Sequence, residues 1–237
     1  MCEDRPPRSL EFALRRSHPT VSSIVSRLAS RFWIAPVLTA LACQAGPSEP
    51  VSDALQCRGS SSCVAFTSFE SGSEGWVSRA ADAGAWTITR VTDRARDAQS
   101  SMRLAASNTT DDTKLWLQRE VLVKPNTAYA VRLEYAFCCV SYDPSAFNPF
   151  QYVADVRAIA PTDTHPVFQF YPVSSPDDSS AAGPVDANAR WRHKRFDLVA
   201  RSGDDGRLYV SAGLVHGFEI TFQYWIDSIR LTVVPQG

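Results

Sequence analysis

From Cys63 onward, apolar and polar positions alternate with a period of two, the spacing of a strand with one buried and one open face. The clearest run is Tyr129, Val131, Leu133, Tyr135, Phe137 and Cys139, with Ala128, Arg132 and Glu134 between them. Leu115, Leu117, Arg119, Val121 and Val123 form a second run, and Val64 with Phe66 alternates at the start. Trp86, Ile88 and Arg90 share a face, as do Met102, Leu104 and Ala106. Further strands are predicted over 152–160, 166–173, 191–200, 207–214 and 220–234. Lys124-Pro125-Asn126-Thr127 reads as a tight turn, proline presetting φ and asparagine tolerating the left-handed region. No stretch of this part sustains a helical period. The pattern predicts an all-β domain, a two-sheet antiparallel β-sandwich of the jelly-roll kind with about ten strands.

The last strand, around Gln223 to Val234, carries an acid, Asp227, inside a β-rich run that would ordinarily avoid one. It is expected to close the sandwich against the first strand, Cys63 to Phe69, with Asp227 facing Glu70 across the closure. Two long connections, Ser141–Phe150 and Ser174–Ala189, interrupt the rhythm, and long loops on a rigid scaffold are where binding usually resides.

Residues 1–43 read as a leader and a lipoprotein-type signal peptide. The apolar run Phe32 to Ala42 follows Arg27 and Arg31 and precedes Cys43. A membrane anchor needs about 20 apolar residues, roughly twice this run. Thr39-Ala40-Leu41-Ala42-Cys43 resembles a bacterial lipobox, which implies lipid attachment at Cys43 and, with Gln44 next, an outer-membrane address. Ordinary cleavage and secretion is the alternative. Residues 44–62, rich in Gly, Pro, Ser and Gln, are expected to be a flexible tether, leaving 63–237 as the β-sandwich domain.

Composition adds bounds. With 44% apolar and 21% charged residues the chain can bury a core, and a net charge of −1 argues against a nucleic-acid partner. Contact with a membrane is expected only through the lipid. In an exported protein Cys57, Cys63, Cys138 and Cys139 are candidates for disulfides, with all three connectivities open. Cys57 and Cys63 could close a small loop, whereas Cys138 and Cys139 point to opposite faces of one strand.

Phe69-Glu70-Ser71-Gly72, Glu74-Gly75-Trp76, Ser100 to Leu104, Val121 to Tyr129 and Tyr224 to Leu231 occur in order and at characteristic spacings. In this the chain resembles carbohydrate-binding modules of the CenC-like, family 4/9 type, and more loosely the galactose-binding-like jelly rolls. The resemblance implies a structural calcium held by Glu70 and Asp227 and completed by carbonyls near Arg96 to Ser100. The sequence departs from the family there, since Ala95-Arg96-Asp97-Ala98-Gln99 lacks its usual glycine. The resemblance also implies a polysaccharide or other glycan partner. A sugar ring packs its C–H face on an aromatic plate, for which Trp116, Tyr142, Phe147, Phe150, Phe170 and Tyr171 are the candidates. Trp76, Trp86 and Trp191 are expected in the core.

Catalytic signatures such as G-x-S-x-G and H-E-x-x-H are absent, and the Asp pairs at 111–112, 177–178 and 204–205 sit in turn-like contexts. The sequence therefore favours a non-catalytic carbohydrate-binding module-like envelope lipoprotein. A structural or protein-interaction sandwich without a glycan ligand is the main alternative, and a glycan-active enzyme is a distant third.

Overall fold

A computed structural model describes residues 53–107, 110–139, 150–166, 169–172, 191–217 and 221–237. Among them are twelve strands and no helix. One sheet, sheet A, contains β1 (Leu55–Gln56), β3 (Trp76–Ala81), β6 (Thr113–Leu122), β8 (Phe150–Arg157), β9 (Phe170–Pro172) and β11 (Arg207–His216). Its order is β6-β11-β8-β9, with β3 and then β1 along the other edge of β6. Sheet B contains β2 (Cys63–Thr67), β4 (Ala85–Val91), β5 (Ser101–Ser107), β7 (Ala128–Cys139), β10 (Trp191–Arg201) and β12 (Phe222–Pro235). It runs β10-β7-β12-β5-β4, with β2 also pairing β12.

The period of two does what it predicts. Leu115, Leu117 and Val121 of sheet A and Val131, Leu133 and Phe137 of sheet B are sequestered in one hydrophobic core between the sheets. Tyr135 is fully buried there and donates its hydroxyl to the Val153 carbonyl, 2.9 Å away, which offsets the desolvation of its polar end. The 124–127 turn carries the chain between sheets, with Asn126 at φ 52° in the left-handed region.

The expected closure is present: β12 pairs antiparallel with β2, from Ile229 opposite Thr67 to Val233 opposite Cys63. The first half of β12 instead pairs with β5, ending at Ile226 opposite Met102. Asp227 and Ser228 fall at this changeover, where the pairing with β7 also slips. Ser228 takes φ 54°, so the strand bulges and Asp227 stays on the outer face while Ile229 returns to the core.

Three expectations are corrected. Val64 and Phe66 face outward, 55% and 58% exposed, because pairing with β12 turns Cys63, Ala65 and Thr67 inward. Trp86, on the sheet's edge strand β4, is 40% exposed instead of buried. Regular structure is also present inside the stretch expected to be tether, where β1 pairs in parallel with β6 and the Cys57 amide bonds the Leu122 carbonyl at 2.8 Å.

Candidate functional site

The outer face of sheet A gathers the residues best suited to hold a ligand. Cross-strand register sets them in rows, because directly opposed residues point the same way. Trp116 lies opposite Gly213, Gly213 opposite Val153, and Val153 opposite Phe170. Trp116, Val153, Val215 and Ala81 pack together with Phe170 against them, making an apolar strip. Gly213 is required: a Cβ there would lie 2.1 Å from the Leu115 carbonyl oxygen and 2.7 Å from the Trp116 Cα.

The next row is polar. Gln118 and Asp155 flank Ser211 on its two sides. Trp116 Nε1 donates to Gln118 Oε1 at 3.4 Å, tying the strip to the row. Asp155 is buried, with Oδ2 2.5 Å from Arg157 Nη2. Burial pushes its carboxyl above the ordinary value, and the arginine opposes this without reversing it. Ser211 Oγ is fully buried and makes no hydrogen bond. A third row places Glu120 and Arg157 on either side of Tyr209, with Glu120 held by Arg207 Nη1 at 3.2 Å. Trp116 and Ser211 have no exposure in the structure, whereas Arg157 and Glu120 at the end of this face are partly exposed.

Of the expected aromatic plates, Trp116 and Phe170 come together. Tyr171, the neighbour of Phe170, points to the opposite face and packs on Phe196 of the core at 4.6 Å between ring centroids. Tyr142, Phe147 and the Phe150 side chain lie outside the described residues, as does Cys43. Gln118, Ser211, Asp155 and Arg157 were not singled out from the sequence. Asp155 was within reach, since it interrupts the apolar run Tyr152-Val153-Ala154 and Val156 just as Asp227 interrupts β12.

The two acids expected to hold calcium both meet the loop between β4 and β5. Asp227 Oδ2 accepts the Arg96 and Asp97 amides at 2.7 and 3.1 Å, and Oδ1 accepts the Ser228 amide at 2.6 Å. Glu70 Oε1 accepts the Gln99 and Ser100 amides at 3.0 and 2.7 Å. Asp227 is fully buried, and desolvation raises its pKa to about 6 although its three amide bonds pull the other way. Calcium takes six to eight oxygen ligands. This loop instead turns N–H groups toward the acids, so the residues present do not fit the ion. Among the described residues there is no cluster of three or more metal-ligating side chains.

The cysteines resolve in part. Cys57 and Cys63 are joined by a disulfide. Cys138, expected among the disulfide candidates, is not bonded in one: it is buried on the outer face of sheet B with Trp191 and Trp225, its Sγ 3.5 Å from Arg94 Nη1. The Cys139 side chain lies outside the described residues.

No protein-family model matches the chain, and no curated protein matches it. Solved β-sandwiches do. The CBM22-1 xylan-binding domain of Xyn10C from Paenibacillus barcinonensis is 13% identical with a TM-score of 0.41, covering 73% of this chain and 95% of that one. TmCBM61, solved with β-1,4-galactotriose, is 12% identical with a TM-score of 0.38, covering 70% and 93%. The K1 cleaved adhesin domain of Lys-gingipain from Porphyromonas gingivalis W83 is 11% identical with a TM-score of 0.44, covering 73% and 99%. With TM-scores below 0.5, the site's own residues have to carry any function.

Proposed function

We propose that the protein is a non-catalytic, carbohydrate-binding module-like domain that takes a glycan against the outer face of sheet A. The observation that carries this is the apolar strip of Trp116, Val153 and Phe170 beside the polar row of Gln118, Ser211 and Asp155. Rows two residues apart along a strand lie about 7 Å apart, comparable with a pyranose ring and its hydroxyls. The strip offers a plate for the C–H face, and the row offers an amide, a carboxylate and a hydroxyl that lacks a protein partner. A sugar hydroxyl would satisfy Ser211 Oγ, which otherwise bears the full cost of desolvation. The non-catalytic character is supported by the carboxylates of this face: Asp155 is paired with Arg157 and Glu120 with Arg207.

Since Trp116 and Ser211 are buried in the structure, this reading requires that they become accessible to the glycan, and the apparent affinity would be scaled by the accessible fraction. The test is a glycan array probed with the purified protein and with Trp116→Ala. Binding to one glycan class that the variant loses supports the proposal, and silence of the wild type across the array overturns it.

A protein-interaction role is the second reading. It is favoured by Val64, Phe66 and Val199, which stand exposed on the outer face of sheet B. Array silence together with a partner lost in Phe66→Glu would establish it. We also propose export with lipid attachment at Cys43. The Cys57–Cys63 disulfide supports an oxidising compartment. Release of Cys43→Ser from the membrane fraction tests the anchor, and retention there contradicts it.

A further inference from the structure

We propose that the guanidinium of Arg90 serves as a built-in cation beside the closure of the sandwich, so that the chain just beyond β2 and the end of the β4–β5 loop are held together without a metal ion. Arg90 is the penultimate residue of β4 and reaches the chain just beyond β2. Its Nε donates to the Phe69 carbonyl at 2.5 Å, and its Nη2 donates to the Glu70 carbonyl at 2.9 Å and to Ser100 Oγ at 2.6 Å. Phe69 is fully buried at φ 61°, a conformation that sets its carbonyl where the guanidinium can take it.

The three acceptors are all oxygens: two main-chain carbonyls from one segment and a hydroxyl from the loop across from it. A hard cation would collect oxygens of this kind. The planar fork of arginine takes them with directional N–H bonds and brings a positive charge to them. The carboxylates are occupied from the other side. Glu70 accepts the amides of Gln99 and Ser100, and Asp227 those of Arg96 and Asp97, so consecutive loop residues clip onto both acids. Ser228 completes the clasp by donating its hydroxyl to Asp97 Oδ2. The loop therefore presents N–H donors to both acids, and Arg90 supplies positive charge to the Phe69 and Glu70 carbonyls.

The test is thermal unfolding of the purified protein in chelator and in excess calcium, alongside Arg90→Gln and Arg90→Lys. The expected result is an unchanged wild-type Tm between the two conditions, with Arg90→Gln melting about 5 °C lower and Arg90→Lys in between. A calcium-dependent rise in the wild-type Tm that Glu70→Gln removes would overturn the proposal, as would an Arg90→Gln variant that melts with the wild type. Should Arg90→Gln not fold, the wild-type comparison and Arg90→Lys still decide the matter.

Discussion

Two buried aspartates interrupt apolar strands on the outer faces of this sandwich, and they are satisfied in different ways. Asp227, in sheet B, receives three main-chain amides. Asp155, in sheet A, has the side chain of Arg157 and the Val156 amide for partners and an unpartnered serine hydroxyl for a neighbour. Main-chain donors are fixed once the loop is folded, so Asp227 is a structural fastener. Asp155 depends in part on a side-chain partner, which on the proposed function a ligand would compete with. Burial raises the pKa of both, so the direction of the shift does not by itself separate the two roles.

The largest difference should appear on removing the two carboxylates. Asp227→Ala leaves three amides, one buried and two partly buried, without their acceptor and should cost roughly 3 kcal/mol in denaturant unfolding. Asp155→Asn should cost only about 1 kcal/mol, because Arg157 is partly exposed and can turn to water. Equal losses would erase the distinction.

Acidity gives a second separation. With a folded pKa of about 6 against an ordinary 3.8, Asp227 binds its proton more tightly in the native state. Its contribution is therefore fully present below about pH 4 and lost as pH rises through about 6, up to ~3 kcal/mol in all. Melting of the wild type relative to Asp227→Asn should fall across that window, and parallel curves would contradict the assignment. Gly213→Ala, in the other sheet, should cost about 2 kcal/mol by forcing β6 and β11 apart, whatever the pH. Reducing the Cys57–Cys63 bridge should cost ~2 kcal/mol, as expected for so short a loop.

The smallest effect has the opposite sign. Ser211→Val removes a buried hydroxyl that has no partner, so stability should hold or rise by up to ~1 kcal/mol while glycan binding weakens. A clear destabilisation would mean that the hydroxyl is structural.

Much of the sandwich is written in the alternation of residues such as Tyr129 to Phe137, where one side of a strand is far more apolar than the other. The same rule misplaces β2, since Val64 and Phe66 are its most apolar residues and yet face out. What decides there is register with β12, a long-range fact that no short window contains. Asp227 and Glu70 stood out in the sequence as acids near the closure, but the main-chain amides they accept did not, because such donors leave no trace in residue identity. Arg90 was read only as one of an alternating set, although its charge holds the Phe69 and Glu70 carbonyls. Trp116 was recognisable as a plate. The row beside it required knowing that Gln118, Ser211 and Asp155, from three separate strands, stand side by side.

The central claim is that a glycan meets Trp116 on the outer face of sheet A. Tryptophan fluorescence titrated with soluble oligosaccharides tests it most directly, comparing the wild type with Trp116→Phe. A saturable change in emission with one oligosaccharide class, absent from the variant, is the predicted result. No change with any oligosaccharide, or a change that the variant retains in full, would contradict it.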